Sequence, residues 1–262
     1  MRRPRAAARR RRRILRRVST ALIVAGALVL VDAGVTVLWL EPVTALRAKL
    51  TQDGLERDLE ELEELGPTPA DLRALQRAGL LDETRVNRGR AARVARRRVS
   101  VLARRLAGRV EDGDAIGRLR VPRLDLDLVV VKGSSPAPLR KGPGTFDDTP
   151  LPGAHGTAAI AGHRTTYGAP FRDIEALRRG DTVRVTMPYA TIRYRVEGHR
   201  IVDPKDLSVL RRVGHDRLIL SACHPRFSAQ QRIIVFARVT GVTPASLGRS
   251  ASALKRVAST AR

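Results

Sequence analysis

Cys223 is the only cysteine in the chain, and its surroundings suit a nucleophile. It closes the apolar run Leu218-Ile219-Leu220-Ser221-Ala222 and is followed by His224-Pro225, so the chain leaves a strand and enters a polar, proline-broken loop. A lone cysteine is by default a small buried hydrophobe. Partial exposure beside positive charge instead favours the thiolate, the form that attacks. Such a nucleophile needs an imidazole partner and a donor for the developing oxyanion. Five histidines are available: His155, His163, His199, His215 and His224. His163 ends a second short apolar run, 157–163, so two strand ends in one barrel can bring it to Cys223. His224 adjoins Cys223, but on a strand its side chain points to the opposite face. His199 lies mid-strand, and His155 and His215 lie in Gly-flanked loops, where satisfied surface histidines are the simpler reading. Arg232 opens the strand after Cys223 and carries a permanent charge that can hold a carbonyl oxygen or a carboxylate.

The elements that must position these groups lie in 113–242. Ile116–Val121 and Leu126–Val131 read as short strands around a Pro-containing turn. The stretch 134–144 is rich in Pro and Gly and reads as loop, and 171–177 suits a short helix. Residues 181–187 and 191–202 alternate with period two and form a hairpin about Pro188-Tyr189-Ala190. Residues 217–223 and 232–239 add two apolar strands. Seven or eight short strands in this length favour a closed barrel or sandwich over a βαβ sheet, so the fold class is mainly β.

Upstream, the texture is different. The 262-residue chain carries 50 Lys+Arg against 26 Asp+Glu. Residues 1–17 hold ten arginines and no acid. Residues 20–40 then hold eleven Leu, Ile or Val and a single charge, Asp32. That length crosses a ~30 Å hydrocarbon core as a helix. The aliphatic residues contribute about −3 to −6 kcal/mol against about +3 for the Asp, so insertion is favourable. The arginine flank predicts a cytoplasmic N-terminus, with everything after Leu40 outside. A cleaved signal peptide would have a shorter apolar core, and no small-x-small site follows Leu40. Residues 41–112 read as a helical stalk: an acidic helix with seven acids in 53–64, a break at Gly66-Pro67, a fresh start at Thr68-Pro69, and an arginine-rich helix over 85–109. The two charged helices either pair or stand as separate solvated helices. Residues 243–262 are small, polar and basic and read as a disordered tail.

Composition excludes several classes. A single cysteine allows no internal disulfide framework and no cysteine-based metal cage. Aromatics are only 3% of residues, which argues against base stacking and a nucleic-acid partner. No ligand cluster calls for a metal or cofactor.

Taken together, the basic N-terminus, the apolar anchor, GHRTTYGAPF at 162–171, LILSACHPRF at 218–227 and QRIIVFA at 231–237 resemble a sortase, most nearly the class E sortases of high-G+C Gram-positive bacteria. The resemblance implies an eight-stranded β-barrel with Cys223 as nucleophile and His163 and Arg232 as its essential partners. It implies a cysteine transpeptidase that cuts a C-terminal LPxTG- or LAxTG-like signal of a secreted protein between Thr and Gly. The Thr carbonyl is then joined to an amine on a peptidoglycan precursor or another protein. It also implies no metal cofactor, and a barrel held outside the cell membrane by one span. Substrate-lining positions are Ser221, Ala222 and Tyr167, the last being either a groove residue or a packed loop tyrosine. The family motif TLxTC places Thr immediately before the nucleophile; here that residue is Ala222, which removes a hydroxyl expected beside the substrate. The alternatives are a surface cysteine hydrolase that uses water, and a membrane-anchored basic binding module without catalysis.

Overall fold

The computed structural model describes residues 20, 22–27, 46–81 and 88–247, and the chain divides into two compact units, 1–46 and 47–262. In the first unit, 22–27 is helical. No helix among the described residues is long and apolar enough to cross a membrane. Most of the expected span 20–40, the basic segment 1–19 and residues 248–262 of the expected basic tail lie outside the described residues.

The second unit opens within helix α1 (46–65), then continues with α2 (Pro69–Arg77) and α3 (Arg88–Ala107). Thr68 caps α2 as the sequence predicts: its side chain accepts from the Asp71 N–H, and the Asp71 carboxylate accepts from the Thr68 N–H. The charged helices find separate ion-pair partners. Glu56 of α1 meets Arg118 at 2.7 Å, whereas Arg105 of α3 and Arg109, just past its end, hold buried Asp71 at 2.5 and 2.6 Å.

Eight strands follow: β1 (Ala115–Val121), β2 (Leu126–Val131), β3 (Gly144–Thr145), β4 (Thr157–Ala161), β5 (Thr182–Met187), β6 (Ala190–Val202), β7 (Arg217–His224) and β8 (Gln231–Pro244). They close into a barrel in the order β1-β2-β3-β4-β7-β8-β6-β5. β2 pairs with β3, and β4 with β7, in parallel; the other neighbours are antiparallel. The stretch read as pure loop differs, because Pro136–Lys141 forms a short helix, α4, with proline in its first turn, where its missing N–H costs nothing. β8 runs to Pro244, past the expected domain end at 242, because it stays paired with the full length of β6.

Period-two alternation sorts each strand's residues. Leu218, Leu220 and Ala222 of β7 join Ile160, Ile192, Tyr194 and Val235 in the barrel interior, and α3 adds Val99, Leu102 and Leu106. Ile219, between them, belongs to a separate outer cluster with Ala159, Val202, Val209 and Ile234. A third cluster seats Leu55 and Leu59 of α1 on Ala115, Val129 and Val131 of β1 and β2. There Gln52 accepts from the Val129 N–H at 2.8 Å and donates to the Lys141 carbonyl at 2.9 Å.

Candidate active site

The site lies where β4, β7 and β8, adjacent in the barrel, reach one end of the sheet. Cys223 on β7 stands directly opposite Arg232 on β8. Opposed residues of an antiparallel pair project from the same face with Cβ atoms about 5 Å apart, which is within reach of a guanidinium. β4 runs parallel to β7 with Ala161 beside Ser221, and the Gly162 N–H continues the ladder by donating to the Ser221 carbonyl at 3.0 Å. The strand ends at Ala161 rather than at His163, so His163 begins the turn that follows. That turn is closed by the Phe171 N–H on the His163 carbonyl at 2.9 Å. A Cβ on Gly162 would sit 2.6 Å from the ring of Phe171, which is fully buried, so only glycine lets the turn pass under that ring.

Cys223 is a half-buried free thiol, and His163 is half-buried as well. Burial disfavours the charged imidazolium and, with the nearby Arg140 charge, holds the His163 ring below its ordinary value. Tyr167 packs beside it with ring centroids 5.0 Å apart, and the Arg140 guanidinium lies 6.0 Å from the Tyr167 ring. Tyr167 is 41% exposed and adopts a left-handed backbone, φ 52°, on a turn that also holds Gly168 at 74° and Ala169 at 43°. The Arg232 guanidinium donates to the Ala229 and Gln231 carbonyls at 2.9 and 3.0 Å, which aims it along the loop joining β7 to β8.

An apolar groove runs from Arg232 along the outer face of β7 and β8. Val202, Val209, Leu210, Ile219 and Ile234 line it, and Ser221 and Arg232 are its polar members near the nucleophile. Its roof, the turn Leu207–Leu210, is pinned by buried Arg217. That side chain donates to the Val209 and Arg211 carbonyls at 2.5 and 3.0 Å and lies over the Phe236 ring at 5.0 Å.

Of the predicted site residues, Cys223, His163, Arg232 and Ser221 are thus brought to one rim, and Tyr167 borders His163. Ala222 is not part of this face. It is 3% exposed and points into the barrel interior, so the expectation that a hydroxyl at this position would lie beside a bound peptide is corrected. The other histidines are occupied elsewhere or exposed. His155 meets Asp216 at 3.3 Å, His215 faces Glu197 at 3.6 Å, His224 meets Arg164 at 3.3 Å, and His199 is exposed on β6. Sequence reasoning passed over Arg140, Arg164 and Arg217. Among the chain's many arginines, only burial distinguishes the last two, and burial is invisible before folding.

Residues 119–240 match the sortase domain family model. The chain is 33% identical over 134 residues to Sortase D of Bacillus subtilis, covering 49% of this chain and 65% of that protein. It is 32% identical over 162 residues to Sortase SrtE1 of Streptomyces coelicolor, covering 56% and 46% respectively. A solved sortase E from Streptomyces avermitilis is 30% identical, with a TM-score of 0.47, covering 53% of this chain and 95% of that one. Residues 119–240 are a sortase domain by this match. The chain spans from about half to just under two thirds of the length of these two curated relatives.

Proposed function

We propose that this protein is a membrane-anchored cysteine transpeptidase that acts on C-terminal LPxTG- or LAxTG-like sorting signals. The observation that carries this reading is the convergence of Cys223, Arg232 and the His163 turn at one end of three neighbouring strands, beside a largely apolar groove. The groove takes the apolar residues of the signal and presents the Thr carbonyl to Cys223. Neutral His163 accepts the thiol proton as sulfur attacks, and Arg232 donates hydrogen bonds to the oxyanion or to the adjacent peptide. The C–N bond breaks, His163 returns the proton to the departing Gly amine, and a thioester remains on Cys223. An amine of a peptidoglycan precursor or a second protein then attacks the thioester, releasing Cys223 as a thiol and forming the new amide. In this reading 20–40 spans the bilayer with 1–19 inside the cell, and the barrel works outside it.

The test is product analysis of a sorting peptide with and without a primary amine acceptor. Formation of the amide product at the expense of the free acid supports transpeptidation. Release of free acid at a rate and yield indifferent to excess amine identifies a hydrolase instead. Strongly salt-dependent binding to anionic polymer that is indifferent to Cys223→Ala, with no turnover, identifies a binding module.

A further inference from the structure

Arg164 is the residue after His163, and its side chain is only 2% exposed. A buried guanidinium is costly unless its donors are used, and here every nitrogen has a partner. Nε and Nη2 donate to the Arg172 carbonyl at 3.3 and 3.2 Å, Nη1 reaches the Cys223 carbonyl and His224 Nδ1, each at 3.3 Å, and Nη2 also pairs with Glu175. Three segments therefore meet on one planar side chain: the far end of the His163 turn, the 3-10 turn Ile174–Ala176, and the last residues of β7. Glu175 and Asp173 are in turn held by Arg226, which lies in the loop leaving Cys223. The outer pairs are exposed and worth little by themselves; the buried fork carries the connection.

Resting on the reading above, we propose that Arg164 is a positioning residue that fixes the His163 imidazole relative to the Cys223 sulfur by tying the His163 turn to the Cys223 backbone. An apolar side chain would fill the same space but would leave the Cys223 and Arg172 carbonyls without this donor. Lysine has one donor centre and cannot span both segments.

The experiment compares the full chain with Arg164→Met, Arg164→Lys, Glu175→Gln and His163→Ala. It reads alkylation of Cys223 by iodoacetamide across pH and amide hydrogen exchange over 162–172. The charged and titratable groups around the reporting pair are Arg140 and Tyr167 at His163, and Arg232, His224 and Arg164 itself at Cys223; of these only Arg164 changes, and Arg164→Lys, which keeps the charge, separates loss of charge from loss of the fork. Arg164→Met is expected to raise exchange in the turn by about tenfold or more while the barrel strands keep their protection. Its alkylation profile is expected to move away from wild type and onto that of His163→Ala. Arg164→Lys falls between, and Glu175→Gln shifts the same way by less. A folded Arg164→Met protein whose profile superimposes on wild type overturns the proposal. If Arg164→Met fails to fold, wild-type exchange and alkylation in folded Glu175→Gln overturn it equally. Coincident profiles for wild type and His163→Ala also overturn it, because no imidazole–thiol coupling then exists to be positioned. Lack of a thioester with sorting peptide, with the Arg164 effect intact, removes the acyl-transfer reading and leaves Arg164 its positioning role.

Discussion

Cys223 and Arg232 occupy directly opposed positions on β7 and β8, one register step from the loop that joins the two strands. Their spacing is therefore set by the barrel's hydrogen-bond ladder, and the loop need only close it. Arg232→Ala is expected to leave the fold intact and slow acylation of Cys223 by about 10²-fold or more, the usual cost of losing an oxyanion donor. Arg232→Lys should recover little of this, since the planar fork is lost. Single-turnover acylation with circular dichroism as the fold control measures both.

Arg217 holds the roof of the groove, not the reacting atoms. Arg217→Met should raise KM for a sorting peptide more than it lowers kcat. It should also cost about 2 kcal/mol of stability, because the carbonyls at Val209 and Arg211 lose a charged donor. Steady-state kinetics and a thermal melt separate the two effects. An unchanged KM would place peptide binding elsewhere.

The interior placement of Ala222 makes a further prediction. Ala222→Thr adds volume and a hydroxyl to a packed core, so it should lower stability by about 1–3 kcal/mol. Preference among LPxTG- and LAxTG-like peptides should not change. Ser221→Ala, on the groove side, should affect peptide binding instead.

Much of this arrangement was legible in the sequence. The hairpin of β5 and β6 and the strands β7 and β8 announce themselves by alternation or by apolar runs, because each has an inner face that must be buried. Cys223 and His163 were legible as polar groups at the ends of such runs. β3, at two residues, is too short to leave a pattern, and α4 hides in a Pro- and Gly-rich stretch whose composition favours turns. Arg164 and Arg217 were not legible, because nothing in a sequence with this many arginines shows which guanidinium the fold surrounds with carbonyls. The inward side chain of Ala222 follows from parity with Leu218 and Leu220, and the resemblance to a family motif obscured that parity.

His163 is held low first by burial and then by the Arg140 charge. Removing the second cause favours the imidazolium, so Arg140→Ala should move the His163 titration upward, as followed by imidazole proton shifts in NMR. A downward or absent movement would show that Arg140 does not act on the ring.

Asp71 sets the acid limit of the α2–α3 pair. Burial alone would push its carboxyl up, but hydrogen bonds from Arg105 and Thr68 and the Arg109 charge outweigh this and hold it below its ordinary range. A carboxyl lowered on folding contributes stability that is fully present above its unfolded value, about 3.9, and is lost as pH falls through the folded value. Melting temperature should therefore drop in that acid window. Asp71→Asn should cost about 2 kcal/mol near neutrality and flatten the acid dependence.

The most direct measurement is intact-mass and peptide-mapping mass spectrometry of the protein after brief mixing with an LPxTG-type peptide. The account predicts an adduct equal to the peptide truncated after Thr, located on Cys223, labile to hydroxylamine, and reduced to a trace in His163→Ala and Arg232→Ala. An unmodified Cys223 in folded protein, or an adduct that forms equally in all three proteins, would contradict it.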